Sequence, residues 1–141
     1  DFFLFVLIYN TWRYSMSARP RVLIVDDSET IREMVQMVLE SLDAQVVAQG
    51  TNGKEGVELY RKHKPDMLLT DIEMPEMDGI DASKIIKKEF PNSYILMLSS
   101  VDPEAAMDFV FHAGAEDFVR KNEDLETLAA EIEPHLKKCM L

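Results

Sequence analysis

Three aspartates, a pair of hydroxyls and a lysine stand where this chain could do chemistry. Asp26 and Asp27 end the apolar run RVLIV, and Asp71 ends another within LLTDIEMPEMDG. Ser99 and Ser100 follow YILML, and Lys121 follows EDFVR. Three carboxylates brought together repel one another, so they stay apart, neutralise or share a cation. Mg²⁺ suits such a set, because it is a hard ion that takes oxygen ligands and keeps sites for water and phosphate oxygens. Asp26, Asp27, Asp71 and a backbone carbonyl from the loop after Asp71 could supply part of its shell. A free oxygen of Asp71 could then act as a nucleophile and form an aspartyl phosphate. Of the three phosphoryl oxygens, the ion could take one, the Lys121 ammonium another and the Ser99 hydroxyl the third. Phosphoryl transfer needs mostly this kind of positioning and charge neutralisation.

Those side chains meet only if the elements carrying them converge. From Arg21 on, short apolar runs alternate with helical stripes. The runs are Arg21 to Val25, Ala44 to Gln49, Asp66 to Thr70, Tyr94 to Leu98 and Glu116 to Arg120. After the first comes a stripe of Ile31, Met34, Val35, Val38, Leu39 and Leu42, with Ser28 placed to cap it. The second helix follows Asn52, carries Val57 and Tyr60, and stops before Pro65. The third is expected over Ile80 to Phe90. Asp102-Pro103-Glu104 opens a fourth, which Gly114 ends. The last shows Leu125, Leu128, Ala129, Ile132 and Leu136 on one face, with Pro134 placed to kink or fray it. Five βα units in series predict an α/β, doubly wound parallel sheet with helices on both faces. Such folds bind ligands beyond the carboxyl ends of the strands, where the acids, serines and lysine all fall.

The bulk properties narrow the partners. At 141 residues, 47% hydrophobic and 29% charged, the chain has globular composition and room for one ordinary domain. A net charge of -11 disfavours a phosphate backbone, so no direct nucleic-acid partner is expected. The single Cys139 can form no internal disulfide, which fits a reducing, cytoplasmic setting. His63, His112 and His135 show no metal-ligand spacing and read as surface residues. Residues 1–19 form an apolar extension of unclear origin. Its FFLFVLIY run is too short to span a bilayer, which needs about 20 residues. It reads as the tail of a membrane helix with Trp12, Arg13 and Tyr14 at the interface, as an appended element packed on this or a neighbouring molecule, or as residues ahead of a start at Met16-Ser17-Ala18. Packing within a homodimer is the favoured expectation.

VLIVDDS, DIEMPEMDG, ILMLSS and AGAEDFVRK, in this order and at these separations, resemble the two-component response-regulator receiver domain, chemotaxis type, from about Arg21 to Leu136. The resemblance implies a flavodoxin-like (βα)5 sheet in strand order 2-1-3-4-5 over residues 20–141. It implies that Asp71 is phosphorylated, with Asp26, Asp27, Asp71 and the Glu73 carbonyl holding Mg²⁺. Ser99 then corresponds to the switch hydroxyl, Lys121 to the family's lysine, and Phe118 to the aromatic that reports phosphorylation. Met74, Pro75 and Gly79 shape the intervening loop. The implied partners are a histidine kinase or phosphotransfer protein and a downstream target on the face of the fourth helix, fifth strand and fifth helix. As a phosphoacceptor it would catalyse its own phosphorylation and dephosphorylation rather than turn over a separate substrate. Asn122 departs from the proline usual after the lysine, where the family often has a cis bond; Glu73 and Val101 occupy positions that tune phosphate lifetime. Rival readings are a phosphate-independent interaction module and a Mg²⁺-dependent aspartyl-phosphate phosphohydrolase. With no output domain after the last helix, a single-domain regulator or an excised piece is expected.

Overall fold

A computed structural model describes residues 1–7, 19–122 and 124–141. Five strands, β1 (Arg21–Val25), β2 (Gln45–Gly50), β3 (Met67–Asp71), β4 (Ile95–Ser99) and β5 (Asp117–Arg120), form one sheet in the order β2-β1-β3-β4-β5. Every neighbouring pair is parallel. Five helices alternate with them: α1 (Glu29–Ser41), α2 (Gly53–His63), α3 (Gly79–Glu89), α4 (Pro103–Ala113) and α5 (Leu125–Lys138). The doubly wound α/β expectation and its strand order are therefore met.

Short polar side chains start each helix by accepting an otherwise orphaned backbone N–H. Ser28 accepts from Ile31, Asn52 from Glu55, Asp78 from Asp81, Asp102 from Ala105 and Asp124 from Glu126. The Asp78 cap starts α3 one residue before the expected Ile80. Gly114, in the left-handed region at φ 73°, ends α4 where a side chain would be strained. Pro134 stops nothing: α5 runs four residues beyond it. Proline removes one N–H donor, yet Leu128, Ile132 and Leu136 on either side of it are buried and hold the helix to the sheet.

Alternation along the strands sends side chains to two layers. Val22, Ile24, Met67, Leu69, Leu96 and Leu98 face α1 and α5. Leu23, Val25, Leu68 and Ile95 face α2 and α3, and Met97 meets Val110 and Ala113 of α4. The central strands are buried on both faces, which fixes how far each strand projects and so where its last residue lies. Full burial of each such side chain stabilises the fold by about 1.5–3 kcal/mol.

One histidine corrects the sequence reading. His135 is only 6% exposed, and its Nδ1 lies 2.6 Å from the Tyr94 hydroxyl, with Asp117 3.6 Å from Nε2. Its partners come from before β4 and from β5, so the pattern along its own helix gives no sign of them. At the N-terminus residues 2–7 are helical, with Phe2, Phe3, Leu4, Phe5 and Leu7 exposed. Readings that rest on Ile8, Tyr9, Trp12, Arg13, Tyr14 and Met16-Ser17-Ala18 lie outside the described residues. Among the described residues, no helix is long and apolar enough to cross a membrane.

Candidate functional site

β1, β3 and β4 end side by side, and the carboxyl edge of the sheet gathers the predicted groups. Asp26 follows β1 and is fully buried; Asp71 is the last residue of β3 and nearly so. Asp27 is exposed at the rim. One carboxylate oxygen from each of these three aspartates lies within 4.8 Å of the others. Lys121, just after β5, reaches into the cluster. Its Nζ is 3.0 Å from Asp26 Oδ2 and 3.1 Å from Asp71 Oδ1. Its own N–H donates to the Ser99 carbonyl at 2.9 Å, extending the β4–β5 pairing and fixing where the side chain starts.

Backbone donors hold the carboxylates from below. Asp71 Oδ1 accepts from the Ile72 N–H at 2.8 Å, and Asp26 Oδ1 from the Ser28 N–H at 2.9 Å. Asp26 Oδ2 is buried without a directed hydrogen bond. The Lys121 ammonium lies beside it at 3.0 Å and pairs with it by charge. Burial, then the repulsion of Asp26, pushes the Asp71 carboxyl up to about 6, although Lys121 and the Ile72 N–H pull the other way. Burial works against the Lys121 ammonium, but Asp26 and then Asp71 outweigh it and hold the group above the ordinary lysine value. The site has more negative charge than one lysine can neutralise.

That surplus is the chemistry of a cation site. The donors are all carboxylate oxygens, one of them buried and undirected, and together they fit a hard divalent ion rather than a thiolate- or imidazole-seeking metal. Glu73 is exposed two residues after Asp71. The loop is closed by the Gly79 N–H, which donates to the Ile72 carbonyl at 2.7 Å. A Cβ on Gly79 would lie 2.0 Å from the Asp71 carbonyl, so only glycine permits this approach. Within the loop Met77 N–H donates to the Pro75 carbonyl around Glu76, whose φ is 65°.

Ser99 is buried at the end of β4, and its Oγ accepts from the Val101 N–H at 3.1 Å. Phe118 is half-buried beside Met97 and packs on the cluster that contains Ile72, Val110 and Ala113. No cis peptide bond occurs among the described residues, so Lys121–Asn122 is trans. One contributor escaped sequence reasoning. Arg32 of α1 donates from Nη1 to the Asp26 main-chain carbonyl at 2.7 Å. Its place one turn after the Ser28 cap was the signal available.

Comparison with known proteins gives a consistent result. The family described as the response regulator receiver domain matches residues 22–133. The chemotaxis protein CheY of Thermotoga maritima is 44% identical over 101 residues, covering 72% of this chain and 84% of that protein. The crystal structure of the response regulator domain of Thermotoga maritima CheB superposes with a TM-score of 0.79 at 34% identity, covering 87% of this chain and 97% of the other. The CheX-CheY-BeF3-Mg+2 complex from Borrelia burgdorferi gives 0.78 at 26% identity, covering 91% and 94%.

Proposed function

This chain belongs to the response-regulator receiver domain family, as a phosphoacceptor signalling domain of two-component systems, and from that premise we propose that Asp71 is its acceptor. The observation that carries the assignment is the placing of Lys121 between Asp26 and Asp71 inside a three-carboxylate cluster. A carboxylate oxygen of Asp71 attacks the phosphorus of a phosphohistidine. The new O–P bond forms as the N–P bond breaks and the imidazole leaves. Lys121 is within reach of the phosphoryl oxygens and holds part of their charge. Ser99 gives its hydroxyl to another oxygen by turning away from the Val101 N–H.

Asp26, Asp27, Asp71 and the Glu73 carbonyl would hold Mg²⁺, which supplies charge neutralisation on the phosphoryl oxygens when bound. The acid-only donor set supports that choice, as does the Mg+2 in the Borrelia burgdorferi CheY complex. Because the same groups position acceptor and phosphoryl, the domain catalyses part of its own phosphorylation and dephosphorylation. The phosphoryl group favours one of two pre-existing states, and Phe118, packed on the cluster that contains Ile72, carries the difference toward the surface of α4, β5 and α5. Phe111 and Met107 are exposed on α4 and suit a downstream protein target there. A histidine kinase or phosphotransfer protein is the donor, and the cytoplasm, where Cys139 stays reduced, is the setting. Residues 20–141 form the receiver domain, and residues 1–19 an apolar extension whose exposed phenylalanines suit a homodimer contact.

Intact mass after incubation with acetyl phosphate tests the assignment. One added phosphoryl group is expected with Mg²⁺, and none with EDTA or in Asp71→Asn. No gain in the wild-type chain would favour a phosphate-independent interaction module, and steady release of phosphate from an external ester would favour a phosphohydrolase.

A further inference from the structure

The Asp26–Asp27 turn is held at more points than a strand end requires. The Asp26 N–H donates to the Gly50 carbonyl at 3.1 Å, tying it to the end of β2. Its Oδ1 is fixed by the Ser28 N–H, and its Oδ2 faces Lys121. The remaining group is its main-chain carbonyl, which belongs to the peptide leading into Asp27. That carbonyl accepts from Arg32 Nη1 at 2.7 Å. The guanidinium is itself braced. Arg32 Nε donates to Gln49 Oε1 at 3.1 Å, the Gln49 amide donates to Gln36 Oε1, and Gln36 donates to Glu40 Oε1 at 2.9 Å. A line of side chains therefore runs along the groove between α1 and β2 and ends on the peptide that sets the direction of Asp27. Asp27 needs such help. It is exposed, and its carboxylate has no hydrogen bond among the described residues.

We propose that Arg32 is a positioning residue for the cation, acting through the Asp26 carbonyl to aim Asp27, with Gln49 as its brace. The inference rests on the phosphoacceptor reading and concerns the same site. It makes a demand that a neighbouring positive charge alone would not. A guanidinium near three carboxylates repels a divalent ion, so if charge were its only influence, removing it would tighten Mg²⁺ binding. If it positions Asp27, removing it weakens binding. The two effects have opposite signs. Lysine distinguishes them further, since it keeps the charge but has no fork to hold the Asp26 carbonyl and Gln49 together.

The test is Mg²⁺ titration followed by amide chemical shifts, on wild-type, Arg32→Ala, Arg32→Lys and Gln49→Ala chains. Thermal unfolding of each in EDTA supplies the control for fold. Groups that orient metal ligands from outside are worth on the order of 10–100-fold in affinity. Arg32→Ala is expected to weaken Mg²⁺ binding about tenfold, Arg32→Lys and Gln49→Ala by less, at little change in melting temperature in EDTA. If Arg32→Ala unfolds, the other two variants decide the matter, since each breaks the fork at one point. Unchanged or tighter binding in the folded variants overturns the inference while leaving Asp71 phosphorylation intact. If the wild-type chain itself binds no Mg²⁺, the functional reading fails and this inference falls with it.

Discussion

Replacing Asp71 with asparagine should make this protein more stable, and by an amount that depends on pH. The Asp71 carboxyl ionises near 6 in the folded chain, against 3.8 when unhindered, because burial and Asp26 oppose its charge. Each pH unit of that difference is worth about 1.4 kcal/mol. Keeping Asp71 ionised in the fold therefore costs about 3 kcal/mol at pH 8 without a metal ion. The direction follows from proton counts. Well below pH 3.8 the carboxyl is protonated in both folded and unfolded chains and contributes no difference. As pH rises through 3.8 toward 6 the unfolded chain loses its proton first, so the wild type loses stability; well above 6 the loss is complete. Asparagine has no proton to lose. Lys121 keeps Asp26 as a partner in the variant. Urea unfolding followed by circular dichroism in EDTA, at pH 4.5 and pH 8, measures the gap between the two proteins. It should widen from about 1 kcal/mol to about 3 kcal/mol. Added Mg²⁺ should narrow it at pH 8 by stabilising only the chain that binds it well. A gap that is the same at both pH values, or an asparagine variant less stable at pH 8, would refute the electrostatic account of the site.

Three further outcomes follow from the same geometry. Lys121→Ala leaves Asp26 and Asp71 facing each other without a cation; it should lower stability at pH 8 by about 3 kcal/mol, recovered in part by Mg²⁺, as read by urea unfolding. Gly79→Ala drives a methyl into the Asp71 carbonyl; a loss of about 3 kcal/mol and slower phosphorylation by acetyl phosphate are expected, measured by urea unfolding and intact-mass time courses. Burial, opposed by Asp117, holds His135 below its usual value, so the fold prefers it neutral. Wild type should then lose stability relative to His135→Gln as pH falls through 6.5, the ordinary histidine value, in unfolding curves at pH 7.5 and 5.5.

Much of the site was legible because its residues obey local rules. Asp26, Asp71, Ser99 and Lys121 each end or follow an apolar run, and in a parallel sheet all such ends lie on one edge. Ser28, Asn52 and Asp102 announced their helices by type and place. What escaped depends on contacts between elements that the pattern along one element does not show. His135 meets Tyr94 across 41 residues, and the periodicity of α5 says nothing of that contact. Arg32 looks like an ordinary helix-surface cation until Asp26 and Gln49 are seen beside it. Pro134 was expected to disturb α5, but the buried leucines and isoleucine around it outweigh one missing donor. The trans bond at Lys121–Asn122 accords with asparagine, for which the cis form costs about 2.5–4 kcal/mol.

The most direct test is to locate the phosphoryl group. Treating the acetyl-phosphate-reacted protein with borohydride reduces an aspartyl phosphate to homoserine, and peptide mass spectrometry then finds the altered residue. Homoserine at position 71, dependent on Mg²⁺, is the predicted result. Homoserine at position 26 or 27 with Asp71 unchanged, or none despite a phosphorylated intact mass, would contradict the account.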